Sequence, residues 1–210
     1  ILCIGLNYRA HVAETGLPTP EHLTVFTRYG SSLVGHGTPL VRPRASAQFD
    51  YEAELAVVIG KTARHVARDR ALEHVAGYTI VNDGSLRDLQ TRTSQWTLGK
   101  NADATGSMGP ALVTADALPA GGAPLRVTTE LNDALVQDGD TSDLVFDVPR
   151  IIEEITRVMT LNPGDVIATG TPAGVAMGQD TPRWLRPGDH VAVTIEGIGT
   201  LANPVVDEEV

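Results

Sequence analysis

Residues 50–60 read DYEAELAVVIG, so that three carboxylates stand at the start of an apolar run that is typical of a buried strand. Because side chains alternate along a strand, Glu52 and Glu54 would project from one face within about 7 Å of each other, and Asp50 would share that face. Like charges at this separation resist burial unless something neutralises them. A hard divalent cation would neutralise them, whereas acids on a solvent-facing strand edge would need no ion.

A further acid, distant in the sequence, strengthens the cation hypothesis. Asp83 ends the stretch GYTIVND at residues 77–83, which also predicts a strand that leads into a turn. If the two strand ends converge, three carboxylates without His or Cys would suit Mg²⁺, Mn²⁺ or Ca²⁺ rather than zinc. The sequence therefore predicts an oxygen-only metal site, with a surface acid patch as the alternative.

The rest of the chain predicts a β-rich fold with few helices. Its 21 glycines and 13 prolines fall in many short segments, which indicates frequent turns between short strands. Strands are predicted at 2–7, 55–60, 77–83, 111–115, 125–131, 165–170 and 190–203. Helices are predicted at 7–14, around 68–78, and from Pro149 to a point before Asn162. No linker divides the chain, so we expect a single domain over residues 1–210.

Composition and charge exclude several classes of protein. The formal net charge of −10 would repel a phosphate backbone, so we expect no nucleic-acid partner. No apolar run reaches the roughly 18 residues that span a bilayer, so we expect no membrane span. The single Cys3 excludes an internal disulfide framework, and no signal peptide is recognisable, which favours the cytoplasm. The chain opens at Ile1 within a predicted strand, and we expect that an N-terminal segment is missing.

One helix carries a candidate general base. His11 and Glu14 are three residues apart in the predicted helix at 7–14 and would share its face. A carboxylate beside an imidazole raises its basicity and fixes its tautomer. The alternative is a surface His–Glu pair. The segment TGLPTPEHL at 15–23 follows as a loop, which we interpret as a candidate lid.

Other polar residues are candidates for anion binding. Arg87 and Gln90 are three apart, and both would point to one side of a helical turn, although Arg87 could instead pair with Asp88. Lys100 is flanked by glycine and small polar residues, which fits a lysine beside a ligand and equally a solvated loop. Residues 168–175, ATGTPAGV, could offer backbone N–H groups and Thr hydroxyls to a carboxylate, or form only a tight turn.

Six segments, in order, resemble the fumarylacetoacetate hydrolase family, and together they span nearly the whole chain. They are GLNYRAHVAE (5–14), DYEAELAVVIG (50–60), VNDGSLRDLQ (81–90), LGKNADATGSMGP (98–110), MTLNPGDVIATGTPAGV (159–175) and IEGIGTLANPV (195–205). The resemblance implies a β-rich α+β fold, a mixed rolled β-sandwich of the C-terminal type with few helices. It also implies a Mg²⁺ or Mn²⁺ site and a homodimer.

The resemblance also implies roles for particular residues. These are Glu52, Glu54 and Asp83 as metal ligands, His11, Glu14 and Lys100 as catalytic residues, and Arg87, Gln90 and Thr171 as substrate contacts. Asp50 matches no ligand position. The chain departs from acylpyruvate-hydrolysing relatives at 25–35, where Arg28 and Tyr29 replace an aromatic run that leads to Lys-Pro.

The implied function is that of a metal-dependent enzyme acting on a small 2-oxo or 2-hydroxydienoic acid through a metal-stabilised enolate. Hydrolytic carbon–carbon cleavage of an acylpyruvate-type 2,4-dioxo acid is the first expectation. An isomerase or decarboxylase of the 2-hydroxyhepta-2,4-diene-1,7-dioate type in aromatic catabolism would use the same enolate. A catalytically silent dicarboxylate-binding relative and a structural domain with an acid patch are the remaining alternatives.

Overall fold

The computed structural model describes residues 1–209 and shows two curled β-sheets packed on one another. The larger sheet contains, in spatial order, β2 (Thr24–Thr27), β1 (Leu2–Gly5), β12 (Val166–Ala168), β6 (Ala53–Ile59), β7 (Val75–Asn82), β9 (Gly106–Thr114) and β3 (Leu33–Val34). β1 pairs with β12 and β3 with β9 in parallel, whereas the other pairs are antiparallel, so this sheet is mixed.

A second sheet closes the sandwich. It contains β11 (Ala134–Asp140), β10 (Arg126–Leu131), β13 (His190–Ile195), β14 (Gly199–Asp207) and β4 (Leu40–Arg42). A two-stranded ribbon of β5 (Phe49–Asp50) and β8 (Ser85–Leu86) lies beside the start of β6. The predicted β-rich α+β fold with mixed, rolled sheets and few helices is thereby confirmed.

Strand β6 is central because both of its faces are covered. Leu55, Val57 and Ile59 belong to the main core, which side chains from both sheets share. Ala56, on the other face, belongs to a smaller apolar cluster with Cys3, Val81, Val166 and Ala168. A strand buried on both faces reads as a continuous apolar run, which explains the sequence LAVVI.

The helices are short. They are α1 (Arg9–Thr15), α2 (Arg87–Gln90), α3 (Thr97–Lys100) and α4 (Val148–Thr156). Asp147 caps α4 by accepting a hydrogen bond from the Arg150 N–H at 2.9 Å, and Pro149 occupies the first turn. Buried isoleucines on one face then hold α4 against the core. No helix in the described part of the chain is long and apolar enough to cross a membrane.

Three predicted elements differ from the observed ones. The strand predicted at 111–115 is the end of β9, which begins at Gly106 because its first residues pair with β3 and β7. The helix predicted around 68–78 is a 3-10 helix at Arg68–His74, and β7 takes the chain from Val75 because its backbone pairs with Ile59 of β6. The strand predicted at 190–203 is the hairpin of β13 and β14, whose turn contains Gly197 at φ +76°. A left-handed residue at this position reverses the chain, which an extended-strand pattern does not reveal.

Candidate metal centre and active site

The three predicted ligand carboxylates lie together at the paired ends of β6 and β7. Glu52 directly precedes β6, Glu54 is its second residue, and Asp83 directly follows β7. The two ends are joined because the Asp83 N–H donates to the Glu52 carbonyl at 2.9 Å. One carboxylate oxygen from each of the three residues lies within 4.8 Å of the others, and all three residues are buried.

This oxygen set fits a divalent cation. Mg²⁺ binds oxygens at about 2.1 Å, so two of its ligands lie at most roughly 4.2 Å apart, and Ca²⁺ allows somewhat more. The three oxygens, which lie within 4.8 Å of one another, would need to approach by only a fraction of an ångström to fit this range. Their assignment as metal ligands stays a prediction, but the structure provides the buried, sulfur-free and nitrogen-free donor set that it requires.

Three buried cations surround the acids. Lys100 Nζ lies 2.7 Å from both Glu52 Oε2 and Asp83 Oδ2. Arg87 Nη1 lies 2.6 Å from Glu52 Oε1, and Arg28 binds Asp83 Oδ1. The cluster therefore combines carboxylates and cations in an interior where each unpaired charge would be costly.

The pKa values reflect unequal compensation. Burial alone would raise the pKa of Glu52, but the positive charges of Arg87 and Lys100 outweigh burial and lower it to about 2. Burial raises the pKa of Glu54 well above its usual range, and the charges of Asp83 and Glu52 raise it further. Burial opposes the charge of Lys100, yet Asp83 and Glu52 raise its pKa. Glu54 is the ligand candidate whose negative charge the protein compensates least.

Asp50 has a positioning role that the sequence did not reveal. It is fully buried and accepts hydrogen bonds from the backbone N–H groups of Ala176 at 2.8 Å and Met177 at 3.1 Å. It also accepts from Arg87 Nε at 2.8 Å. Arg87 thus pairs with Asp50 and Glu52 rather than with Asp88. Asp50, the first acid of the opening stretch, therefore links Arg87 to the segment after β12. Its contact with Ala176 spans 126 residues, which local spacing cannot predict.

A cavity of about 130 Å³ opens onto the acid cluster. Its polar lining includes His11, Glu52, Glu54, Arg87, Gln90, Lys100 and Thr171, and its apolar lining includes Ile4, Phe26, Trp96 and Met177. Arg87 Nη1 donates to Gln90 Oε1 at 2.9 Å, whereas Arg87 Nη2 is buried and has no acceptor within residues 1–209. A buried donor of this kind indicates a ligand, because buried polar groups are otherwise almost always hydrogen-bonded.

The His–Glu pair lies at the same cavity. His11 Nδ1 is 2.6 Å from Glu14 Oε1, and the other Glu14 oxygen accepts from the Gly174 N–H at 2.9 Å. Glu14 thereby fixes the ring of His11 and leaves Nε2 as the nitrogen that can exchange a proton with a ligand. Whether residues 15–23 act as a lid stays a prediction.

Thr171 lies at the cavity wall through a second contact that the sequence did not reveal. Its Oγ1 accepts from Gln137 Nε2 at 2.9 Å, and Gln137 Oε1 accepts from the Ala53 N–H at 3.1 Å. Gln137 therefore connects the loop after β12 to the first residue of β6. Seven of the nine predicted site residues line this cavity. The other two, Asp83 and Glu14, contact the lining residues Lys100 and His11. The catalytic and binding roles of all nine stay predictions.

The departure at 25–35 has two different outcomes. Arg28 is 2% exposed and contacts a ligand candidate directly, whereas Tyr29 is 55% exposed and its backbone N–H donates to Asn101 Oδ1 at 2.6 Å. Phe26, on strand β2 just before Arg28, lines the cavity, and the centroid of its ring lies 5.0 Å from Lys100 Nζ. Of the two departures from the family pattern, only Arg28 reaches the site.

The fold and the site together define a class of protein: a curled β-sandwich with a buried three-carboxylate centre beside a His–Glu pair. A family model described as "Fumarylacetoacetate (FAA) hydrolase C-terminal" matches residues 1–206. The chain belongs to the fumarylacetoacetate hydrolase family.

Individual relatives within the family carry different activities in their names. The chain is 46% identical to "Oxaloacetate tautomerase YisK" of Bacillus subtilis, over 98% of this chain and 69% of that protein. It is 41% identical to 2-hydroxyhepta-2,4-diene-1,7-dioate isomerase from Mycobacterium marinum, with a TM-score of 0.86 over 100% of this chain and 75% of that one. It is 30% identical to fumarylpyruvate hydrolase from Pseudomonas aeruginosa in complex with Mn²⁺ and pyruvate, with a TM-score of 0.89 over 99% and 89% of the two chains.

The chain spans about two thirds of the length of the curated relatives that it matches. The matched part includes the acid cluster, the His–Glu pair and the cavity between them. Membership in an enzyme family is thus established, whereas the reaction and substrate belong to the proposal that follows.

Proposed function

We propose that this chain catalyses the divalent-metal-dependent enol–keto isomerisation of a small 2-oxo dicarboxylic acid, with oxaloacetate as the reference substrate. The observation that carries the proposal is the cavity in which three carboxylates, the unpaired Arg87 Nη2 donor and the His11–Glu14 pair meet. The names of the Bacillus and Mycobacterium relatives support isomerisation rather than the hydrolysis that the sequence first suggested.

The metal and Arg87 would bind different groups of the substrate. When bound by Glu52, Glu54 and Asp83, Mg²⁺ or Mn²⁺ would supply Lewis acidity at the 2-oxo group. Arg87 offers its free Nη2 donor to a substrate carboxylate, and charge-assisted hydrogen bonds of this kind are the strong ones. The small volume of the cavity, about 130 Å³, favours a short acid.

Proton transfer falls to two residues that line the cavity. In the enolisation direction, of which ketonisation is the reverse, His11 Nε2 takes a proton from substrate C3, and Glu14 stabilises the imidazolium that forms. Lys100, which lines the same cavity, supplies the proton that the C2 oxygen gains. The C3–H bond breaks and an O–H bond forms, so the substrate keeps all its atoms, and proton exchange with water restores both side chains.

Hydrolysis of a 2,4-dioxo acid is the second candidate. The same His11 Nε2 could activate a water for attack on the distal carbonyl, after which the carbon–carbon bond would break. The observation that favours it is the relative named fumarylpyruvate hydrolase, whose solved structure holds Mn²⁺ and pyruvate. The two candidates differ in whether a bond between carbons is broken.

One set of assays separates them. Enol-oxaloacetate is mixed with the protein and Mn²⁺, and the loss of its ultraviolet absorbance is followed. A panel of acylpyruvates is assayed in parallel, and mass spectrometry identifies the products of each reaction. We expect rapid ketonisation without loss of carbon, and inactivation by EDTA that Mg²⁺ or Mn²⁺ restores. Faster cleavage of an acylpyruvate would favour the hydrolase, and release of CO₂ a decarboxylase. Turnover of none of these acids would leave a binding protein.

A histidine variant tests the assigned base. We expect His11→Ala to lower kcat by about 10²–10⁴-fold, the usual contribution of a general base, with Mn²⁺ affinity unchanged. His190→Ala is the matched control, because His190 is exposed on β13. Unchanged kcat in His11→Ala would refute the assignment.

We also propose that the chain acts as a homodimer. The apolar cluster beside the site continues into Ile1, Val58 and Met108, which are only partly buried, and a second copy could cover them. Light scattering coupled to size exclusion tests this, and a monomeric mass at all concentrations would contradict it.

A further inference from the structure

We propose that Arg28 is a positioning residue that sets the orientation of Asp83 toward the metal. This inference rests on the metal centre of the proposed function but not on which acid is the substrate. Arg28 is the largest fully buried side chain in the described part of the chain, and its charge lies directly against a predicted ligand. It does not line the cavity, so it acts through Asp83.

The Arg28 guanidinium is enclosed by four residues, which we call the socket: Ser32, Asp83, Gly84 and Thr105. Its donors reach Asp83 Oδ1, the Gly84 carbonyl at 2.9 Å, the Thr105 hydroxyl at 3.0 Å, and both the hydroxyl and the carbonyl of Ser32 at 3.1 Å. These five hydrogen bonds use the full donor capacity of an arginine. A Cβ on Gly106 would lie 2.8 Å from Arg28 Cζ, so the chain keeps a glycine where the guanidinium needs the space.

The socket fixes which oxygen of Asp83 faces the acid cluster. Arg28 occupies Oδ1, whereas Oδ2 is the oxygen that contacts Lys100, which also contacts Glu52. The carboxylate therefore cannot rotate without breaking the Arg28 contact, and a single oxygen is presented toward the other two ligands. Outer partners that orient ligands in this way typically change metal affinity by about 10–100-fold when they are removed.

A lysine at position 28 could not make the same set of hydrogen bonds. Its ammonium is a compact charge with three donors, whereas the planar fork of arginine reaches Asp83, Ser32 and Thr105 from fixed positions. Arg28 also ties Asp83 to the segment after β2, the strand that carries the cavity residue Phe26. Arg28 therefore holds a predicted metal ligand from the position where this chain departs from acylpyruvate-hydrolysing relatives.

Charge and positioning predict opposite results, which makes the proposal testable. If Arg28 served only as a counter-charge, its removal would leave the site more negative and tighten cation binding. If Arg28 orients Asp83, its removal weakens binding despite the added negative charge. Arg28→Gln removes the charge and the fork, and Arg28→Lys keeps the charge while removing the fork.

The experiment is a titration of the wild type and the variants with Mn²⁺ alone. Calorimetry measures the Kd, and the electron paramagnetic resonance spectrum reports the environment of the bound ion. We expect the Kd for Mn²⁺ to rise by about 10–100-fold in Arg28→Gln and by a smaller factor in Arg28→Lys, with an altered spectrum in both. Arg183→Met is the matched control, because it breaks a partly buried ion pair with Asp189 that does not line the cavity. Its Kd should equal that of the wild type.

Several outcomes would overturn the proposal. A Kd in Arg28→Gln that equals or falls below the wild-type value would show a counter-charge without a positioning role, and so would an unchanged Kd in Arg28→Lys. If Arg28→Gln does not fold, Thr105→Val replaces it, because it removes one acceptor of the socket and should weaken Mn²⁺ binding in the same direction. Wild-type protein that binds no Mn²⁺ would refute the metal centre itself, which distinguishes that failure from a failure of Arg28.

Discussion

The two faces of strand β6 are built on opposite physical principles. On one face, Leu55, Val57 and Ile59 pack into the apolar core without any polar partner. On the other face, Glu54 is equally buried but lies among charges, next to Ala56 of the smaller apolar cluster. The core face stabilises the fold by removing apolar surface from water, whereas the Glu54 face places a carboxylate where burial is unfavourable. One strand thus supports the fold with one face and holds the candidate metal centre with the other.

The largest effect should follow from changing the charged face. We expect Glu54→Gln to lower turnover by at least about 10³-fold because a predicted ligand is removed. Loss of a residue that only orients a ligand typically costs about 10–100-fold. In metal-free protein, the same variant should unfold at a higher temperature than the wild type. Glu54 contacts no cation within residues 1–209, and a glutamine oxygen can still accept the Gly170 N–H that Glu54 accepts at 2.8 Å.

Thermal unfolding with and without Mn²⁺ checks both parts of this prediction. Mn²⁺ should raise the melting temperature of the wild type but not of Glu54→Gln, since only a ligand that binds the folded state stabilises it. Glu130→Gln, on the exposed side of β10, is the control and should behave as the wild type. A metal-free Glu54→Gln protein that is less stable than the wild type would break the comparison between the two faces.

The core face should show the reverse pattern. We expect Leu55→Ala to lower the free energy of unfolding by about 2–5 kcal/mol, since it leaves a cavity where the side chain was fully buried. Mn²⁺ affinity of the folded fraction should stay within a few-fold of the wild type. Denaturant unfolding measures the first quantity and calorimetry the second, with Leu135→Ala as the control because Leu135 is 52% exposed. A large loss of metal affinity in Leu55→Ala would show that the two faces are not independent.

Sequence reasoning reached the parts of the site that local geometry determines. Glu52, Glu54 and Asp83 could be brought together because neighbouring strands end at one place, and His11 with Glu14 because a helix aligns residues three apart. Arg28 with Asp83, and Asp50 with Ala176, are contacts across 55 and 126 residues that follow only from the packed fold. The family resemblance could not supply them either, since Asp50 matched no ligand position and Arg28 departed from the pattern.

The ends of secondary-structure elements likewise depend on tertiary packing that local sequence does not reveal. Helix α4 was predicted from Pro149 to a point before Asn162, and it spans Val148–Thr156, so that Val158 lies beyond it and is 74% exposed. The apolar pattern continues past the helix because apolar residues also occur on the surface, and periodicity alone does not show which of them pack. Length and burial of an element are set by its neighbours, whereas its type is largely set by its own residues.

The smallest effect should come from Gly178, which would act on the site only by displacing the side chain of Glu14. A Cβ on Gly178 would lie 2.6 Å from both Cδ and Oε2 of Glu14, so Gly178→Ala must displace that carboxylate. The displaced atoms are the end of a flexible side chain, so the melting temperature should change little. The imidazole of His11 would lose its fixed partner, and a misplacement of this size can lower kcat by up to about 10²-fold.

Kinetics and Mn²⁺ titration together test this last prediction. Gly178→Ala should lower kcat without changing the Kd for Mn²⁺, because neither His11 nor Glu14 belongs to the carboxylate centre. Gly35→Ala is the matched control, since a Cβ at that position meets no atom within 4 Å. A Gly178→Ala enzyme with wild-type kcat would mean that catalysis does not need Glu14 at its observed position. The charged residues that matter for turnover would then be the three carboxylates and the cations around them, without the His11–Glu14 pair.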